Sequence, residues 1–184
     1  MSRPSTSYPL KTCSSAVHTR AVQILFTLIC LVLVAAAQEL VPSFGGTKAP
    51  VLLLFALYTA FRPARRWMFV ALAAGALEDA LNASPVPCCT FFALLAATGA
   101  HFLRPFANDL SPIWTGVCAA MVAAPIHELW ISTWGVLPPG CSVIVRFFAS
   151  ALPAAAAGAL IFAVLPSAEH RAGYEGHVTE RRPR

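Results

Sequence analysis

Apolar residues along this chain gather into blocks, and the polar residues fall between the blocks or at the ends. A block of about 20 residues, rising 1.5 Å per residue as a helix, crosses the hydrocarbon core of a bilayer. The first block, Ala21 to Gln38, meets that length. Pro50 to Phe61 is short for a crossing and predicts a tilted helix or a locally thinned bilayer. Trp67 to Asn82, Cys88 to Leu103, Ser111 to Leu137 and Cys141 to Leu165 follow. Pro63, the Ala83–Pro87 segment and Pro138-Pro139-Gly140 separate them as breakers and turns. The expectation is an all-α integral membrane protein of six transmembrane helices over residues 21–165, with polar tails at 1–20 and 166–184. One alternative concerns the first block. A basic start, an apolar stretch and Ala35-Ala36-Ala37 also resemble a cleavable signal peptide.

Composition reinforces the pattern. The 184 residues are 58% hydrophobic and only 11% charged, whereas a soluble domain carries roughly 25% charge. The net charge of +5 does not form a nucleic-acid-binding face. With the N-terminus inside, Arg3, Lys11, Arg20, Arg62, Arg65, Arg66, Arg104, Arg171, Arg181, Arg182 and Arg184 are all cytoplasmic, and the outer loops hold only Lys48. The positive-inside rule therefore places both termini in the cytoplasm.

Ionisable residues inside spans cost about 2.5–3.5 kcal/mol each on insertion scales. This chain keeps Glu78, Asp79, His127, Glu128 and Arg146 there. On upward spans Asp79 lies about 18 Å above Trp67, and Glu128 about 25 Å above Ser111. On the downward sixth span Arg146 lies about 7 Å below Cys141. All three thus share the outer half of the bilayer, and Arg146 is expected to pair with Glu128 or Asp79. An interhelical clamp, a polar site for a ligand or partner helix, and exposure among headgroups are the three readings of Glu78, Asp79, Glu128 and Arg146. His127-Glu128 begins like a zinc-protease motif, but residue 131 is Ile and the second histidine is absent. Asp79 is the only aspartate within a span, which disfavours an aspartyl hydrolase. No catalytic residue, cofactor or metal ligand is expected.

The remaining features read as packing. Gly75 and Gly158 lie in runs of small residues suited to close helix approach. Pro85 belongs to a turn, and Pro125 and Pro153 each interrupt a span. Tyr58, Trp67, Trp114 and Trp134 stand near span ends, as an aromatic belt would. Cys30 and Cys118 are apolar filler. Cys88, Cys89 and Cys141 share the outer side, where unpaired packing or a bridge is open.

The second and third spans resemble the rod shape-determining protein MreD family. The residues are Pro50-Val51-Leu52-Leu53-Leu54-Phe55, the basic loop Arg62 to Arg66, then Ala74-Gly75-Ala76-Leu77-Glu78-Asp79-Ala80-Leu81 and Ser84-Pro85. The resemblance covers Pro50 to Pro85. Pro87 stands near the place where the family commonly has Gly. The resemblance implies a non-enzymatic scaffold of the bacterial cell-elongation complex in the inner membrane. Its partners would be membrane lipid, MreC, RodA and a class B penicillin-binding protein, and it would support lateral peptidoglycan synthesis. The family's fold is similar to the substrate-binding components of energy-coupling factor transporters. A vitamin-binding membrane component is accordingly the alternative, and it would need a polar cavity on the outer side.

Overall fold

A computed structural model describes residues 12–40, 49–62, 66–84, 86–107, 109–134 and 143–171. The described residues form six helices and no strand: α1 (Thr12–Leu40), α2 (Val51–Phe61), α3 (Trp67–Leu81), α4 (Cys88–Ala107), α5 (Pro112–Thr133) and α6 (Val143–Arg171). Three stretches have the length and apolar composition to cross a membrane: Ala21–Leu40, Pro112–Thr133 and Ile144–Glu169. Helices α1 and α6 extend beyond their apolar blocks into segments expected as tails. Pro85, Cys141 and the expected Pro138-Pro139-Gly140 turn lie outside the described residues.

The helix ends follow from local chemistry. Ser111 caps α5 by accepting a hydrogen bond from the Trp114 N–H, with Pro112 in the first turn, where its missing donor costs nothing. Helix α2 stops at Arg62, which is extended because residue 63 is proline and clashes with a helical predecessor. Helix α3 ends with Ala83 at φ 47°, in the left-handed region. There the Ser84 N–H reaches the Asp79 carbonyl at 3.0 Å and the Ala83 N–H reaches that of Ala80 at 3.2 Å. These are the two hydrogen bonds of a Schellman closure.

Helix α2 is the centre of the bundle and touches the other five helices. Its short length is thereby explained. Eleven residues span roughly 16 Å, about half of the hydrocarbon core. The chain entering α2 is nevertheless sheltered by protein, since Ala49 and Pro50 are buried. The Leu52 N–H donates to the Gln38 side-chain oxygen of α1 at 3.0 Å, satisfying one of the helix's orphan donors. Such a partner is what a backbone group needs where water cannot reach it.

The contacts between helices fix an alternating up-and-down course. Gly116, early in α5, meets Phe162 and Gly158 of α6, and Ala120, one turn further along α5, meets Gly158, so the two helices run antiparallel. A Cβ on either glycine would lie 2.5 Å from the other's carbonyl oxygen, so these two backbones touch. Trp67, opening α3, stacks on His101 near the end of α4 at 5.0 Å. One end of the bundle therefore collects the end of α3, the start of α4, the end of α5 and the start of α6. The opposite end collects Arg62, Arg66 and Arg104. There the Tyr58 hydroxyl donates to Glu169 at 2.8 Å and Arg62 contacts the same carboxylate at 3.0 Å, tying α2 to α6. Tyr58 is thus a buried packing residue and Trp67 a half-buried one set against the core, while Trp114 and Trp134 are exposed at the two ends of α5.

The outside of the bundle is apolar. Leu25, Val32 and Leu33 of α1, Phe91, Leu95, Phe102 and Phe106 of α4, and Leu152, Leu160 and Val164 of α6 are all exposed. The buried side is built largely from α2 leucines and from alanines, including Ala71, Ala74, Ala97, Ala120 and Ala154. Large residues outside and small residues inside is the arrangement of helices that meet each other closely and present bulk to lipid.

Candidate functional site

The polar residues of the interior converge at the end of the bundle away from the arginines. Two neighbouring carboxylates of α3, Glu78 and Asp79, are both buried there and do different work. Asp79 faces the first turn of α4. Its Oδ1 accepts the Cys89 N–H at 2.8 Å, and its Oδ2 accepts the Thr90 N–H at 2.9 Å and the Thr90 hydroxyl at 2.6 Å. The Cys88 thiol donates to Oδ1 at 3.7 Å. Asp79 thus caps α4 from a different helix, where both the free N–H groups and the helix dipole favour a negative charge. The sequence-based expectation offered Asp79 as a partner for Arg146; its oxygens are instead occupied by α4.

Gly75 makes this approach possible. A Cβ there would lie 2.5 Å from the Thr90 Cα, so only glycine lets α3 sit this close to the start of α4. From the neighbouring helix, the Trp130 indole N–H donates to the Cys88 carbonyl at 2.9 Å, fixing α5 against the same turn.

Glu78 faces the other way, toward α5. Its Oε1 lies 3.5 Å from His127 Nε2, and both side chains are at most 4% exposed. Neither ring nitrogen of His127 has a hydrogen-bond partner. The Cys89 thiol completes a triangle with these two groups, all three ligand-type atoms lying within 4.8 Å of one another. Phe92 packs against the His127 ring at 5.2 Å and against Trp130 at 6.1 Å, so aromatic rings wall the cluster.

Glu128 and Arg146 are the remaining charges. Both are buried, Glu128 on α5 and Arg146 on the adjacent α6, and they lie close enough for their charges to interact. The Glu128 Oε2 atom accepts no hydrogen bond. Pro125 is buried inside α5 just before His127 and Glu128, and Pro153 lies inside α6 beyond Arg146. Each ring removes one backbone hydrogen bond from its helix. Gly158 belongs to the α5–α6 contact with Gly116 rather than to the polar end.

Sequence reasoning left out Thr90 and Trp130, and it named His127 only as the start of an incomplete zinc motif and Cys89 only as an outer-side thiol. His127 carried a signal, being an imidazole in an apolar run. Cys89 and Thr90 carried little, because their role arises from the turn that folds α4 back onto α3. Cys30, Cys88, Cys89 and Cys118 are all free thiols. An apolar groove of about 490 Å³ lies along α4 and α5, lined by Leu95, Gly99, Leu103 and Val122 among others.

Comparison of the chain with known protein families, with characterised proteins and with solved structures found no match.

Proposed function

We propose that this chain is a non-enzymatic membrane scaffold of the MreD kind, working in the bacterial cell-elongation complex. The observation that carries the reading is where the resembling segment lies. Val51–Phe61 and Trp67–Leu81 of that segment form α2 and α3, and α2 is the helix around which the other five pack. The Gly75 and Asp79 of that segment make the joint with α4. A motif of this kind then maintains an architecture rather than a reaction.

In this reading all six helices are embedded, with both termini in the cytoplasm of a cell with an inner membrane. Two features support the placement. Arg62, Arg66 and Arg104 gather at one end of the bundle, as cytoplasmic loops require. Trp114 and Trp134 are both exposed and twenty residues apart on α5. At 1.5 Å per residue they are about 30 Å apart, the thickness of the hydrocarbon core that aromatic belts bracket.

The vitamin-transporter reading needs a polar cavity at the outer end. Among the described residues that end is filled: Asp79 is consumed in capping α4, and Glu78 and His127 face each other without exposure. Two cavities, of about 370 and 490 Å³, lie along apolar helix faces. This favours a surface for partner transmembrane helices, such as those of MreC, RodA or a class B penicillin-binding protein.

The experiment is depletion in the native rod-shaped host, combined with photo-crosslinking from exposed α4 and α5 positions. Loss of rod shape and a crosslink to MreC are the expected results. Normal cell width on depletion, or a vitamin retained through purification, would remove the scaffold reading.

A further inference from the structure

The triangle of Glu78, Cys89 and His127 serves no purpose in the scaffold reading, and it is an expensive thing to bury. Each residue comes from a different helix: Glu78 from α3, Cys89 from α4 and His127 from α5. Their exposures are 3%, 1% and 3%. A buried imidazole with neither nitrogen hydrogen-bonded is rare in folded proteins, and an ion is one of the few things that explains it.

We infer that these three side chains form a zinc(II) site joining α3, α4 and α5. The argument is first geometric. The Glu78 Oε1 to His127 Nε2 distance of 3.5 Å forms no hydrogen bond. It does fit the edge of a zinc tetrahedron, which for Zn–N and Zn–O bonds of about 2.0–2.2 Å is about 3.4 Å. The Cys89 sulfur lies within 4.8 Å of both, the range from which a small side-chain rotation closes a third ligand at a Zn–S distance of about 2.3 Å.

The second argument is charge. Zinc with one carboxylate, one thiolate and one neutral imidazole is electrically neutral. A neutral unit is what a low-dielectric interior tolerates, and it replaces a buried carboxylate facing an uncharged ring. A monovalent ion with the same ligands would leave a net negative charge. Hard ions such as magnesium or calcium take oxygen ligands and would not use the thiol. Binding deprotonates the Cys89 thiol, and that proton leaves to solvent. The neighbouring trio of Asp79, Cys88 and Cys89 is a poorer candidate, because Asp79 already accepts the donors of α4.

The site stands apart from the scaffold reading, since a metal clasp would hold the same three helices in any membrane protein. The test uses the full chain purified in detergent. Elemental analysis after growth with zinc is expected to give about one zinc per chain. Cobalt(II) exchanged into the protein is expected to show thiolate-to-cobalt charge transfer and the visible bands of a four-coordinate ion, the three side chains being joined by one water. Cys89→Ser should abolish the charge transfer, and His127→Ala should lose most of the zinc. Cys118→Ser, on the exposed side of α5, should change neither. A helical, monodisperse wild-type protein that takes up neither zinc nor cobalt would overturn the proposal. So would Cys89→Ser and His127→Ala proteins that keep wild-type zinc content. Should those variants fail to fold, the wild-type cobalt spectrum decides alone.

Discussion

A buried carboxylate is stabilised where its oxygens accept hydrogen bonds, and Asp79 meets that condition through backbone N–H groups rather than through a cation. Asp79→Ala removes the acceptor for three N–H and O–H donors of α4 at once. Loss of a helix cap costs about 0.5–2 kcal/mol, and the upper end applies here because the cap is charged and buried. The expected result is a lowered melting temperature in detergent, with Thr90→Val reproducing only a part of it. Glu128 and Arg146 follow a different logic, since each lowers the cost of burying the other. Removing one partner of a buried pair costs about 3–5 kcal/mol, because the survivor is stranded. Glu128→Gln and Arg146→Met should each destabilise strongly, and the double variant should lose less than the sum. Strict additivity in that cycle would mean that the two side chains are not energetically coupled. Helical rise alone pointed to these charges lying toward one end of their helices. Which charge would meet which donor was not. Glu78 and Asp79 are sequence neighbours, and their separate fates depend on the tertiary turn that brings Cys89 and Thr90 over α3.

At the scale of helices, backbone geometry gives the sharpest contrasts. Ala83 occupies a left-handed conformation that costs an L-residue about 1–2 kcal/mol and glycine nothing. Ala83→Gly should therefore raise stability by up to about 1 kcal/mol, the remainder being offset by the greater freedom of glycine in the unfolded chain. Unchanged or lowered thermal stability would mean that the α3 end is held by something other than its own cap. Glycines give the opposite test. Gly99 has open space where a Cβ would go, so Gly99→Ala should gain roughly 0.5–1 kcal/mol from helix propensity. Gly158→Ala drives a methyl to within 2.5 Å of the Gly116 carbonyl oxygen and should cost about 1–3 kcal/mol as α5 and α6 separate. If Gly158→Ala were as stable as wild type or more so in the same unfolding assay, close α5–α6 contact would be wrong. The apolar blocks announced all six helices, and Pro50 and Pro112 marked two starts. They did not announce why α2 is short. A crossing helix was the template, and α2 departs from it because neighbouring helices, not lipid, surround it on every side. Nor could Gly116 be singled out, since its importance lies in facing Gly158 across a hairpin.

For the whole molecule the decisive question is what solvent surrounds the apolar exterior. Val122 and Ile113 both lie on α5, exposed by 60% and 50%. In a water-soluble bundle, replacing either by arginine is an ordinary surface change worth within about 0.5 kcal/mol. In a bilayer the two positions differ. Val122 lies eight residues from Trp114 and twelve from Trp134, near the midpoint of the interval that these exposed rings bracket. Arginine at a helix centre costs about 2.5–3.5 kcal/mol on insertion scales. Ile113 adjoins Trp114 at the helix start, where an arginine side chain reaches the headgroups and its cost is small. Val122→Arg should therefore reduce the membrane-integrated, carbonate-resistant fraction markedly, while Ile113→Arg leaves it near wild type. The same pairing tests orientation, because arginine near Ile113 adds to the end that already holds Arg62, Arg66 and Arg104. Equal tolerance at the two positions would mean that no hydrocarbon layer lies between the tryptophans. The exposed leucines and phenylalanines would then need a protein partner to cover them.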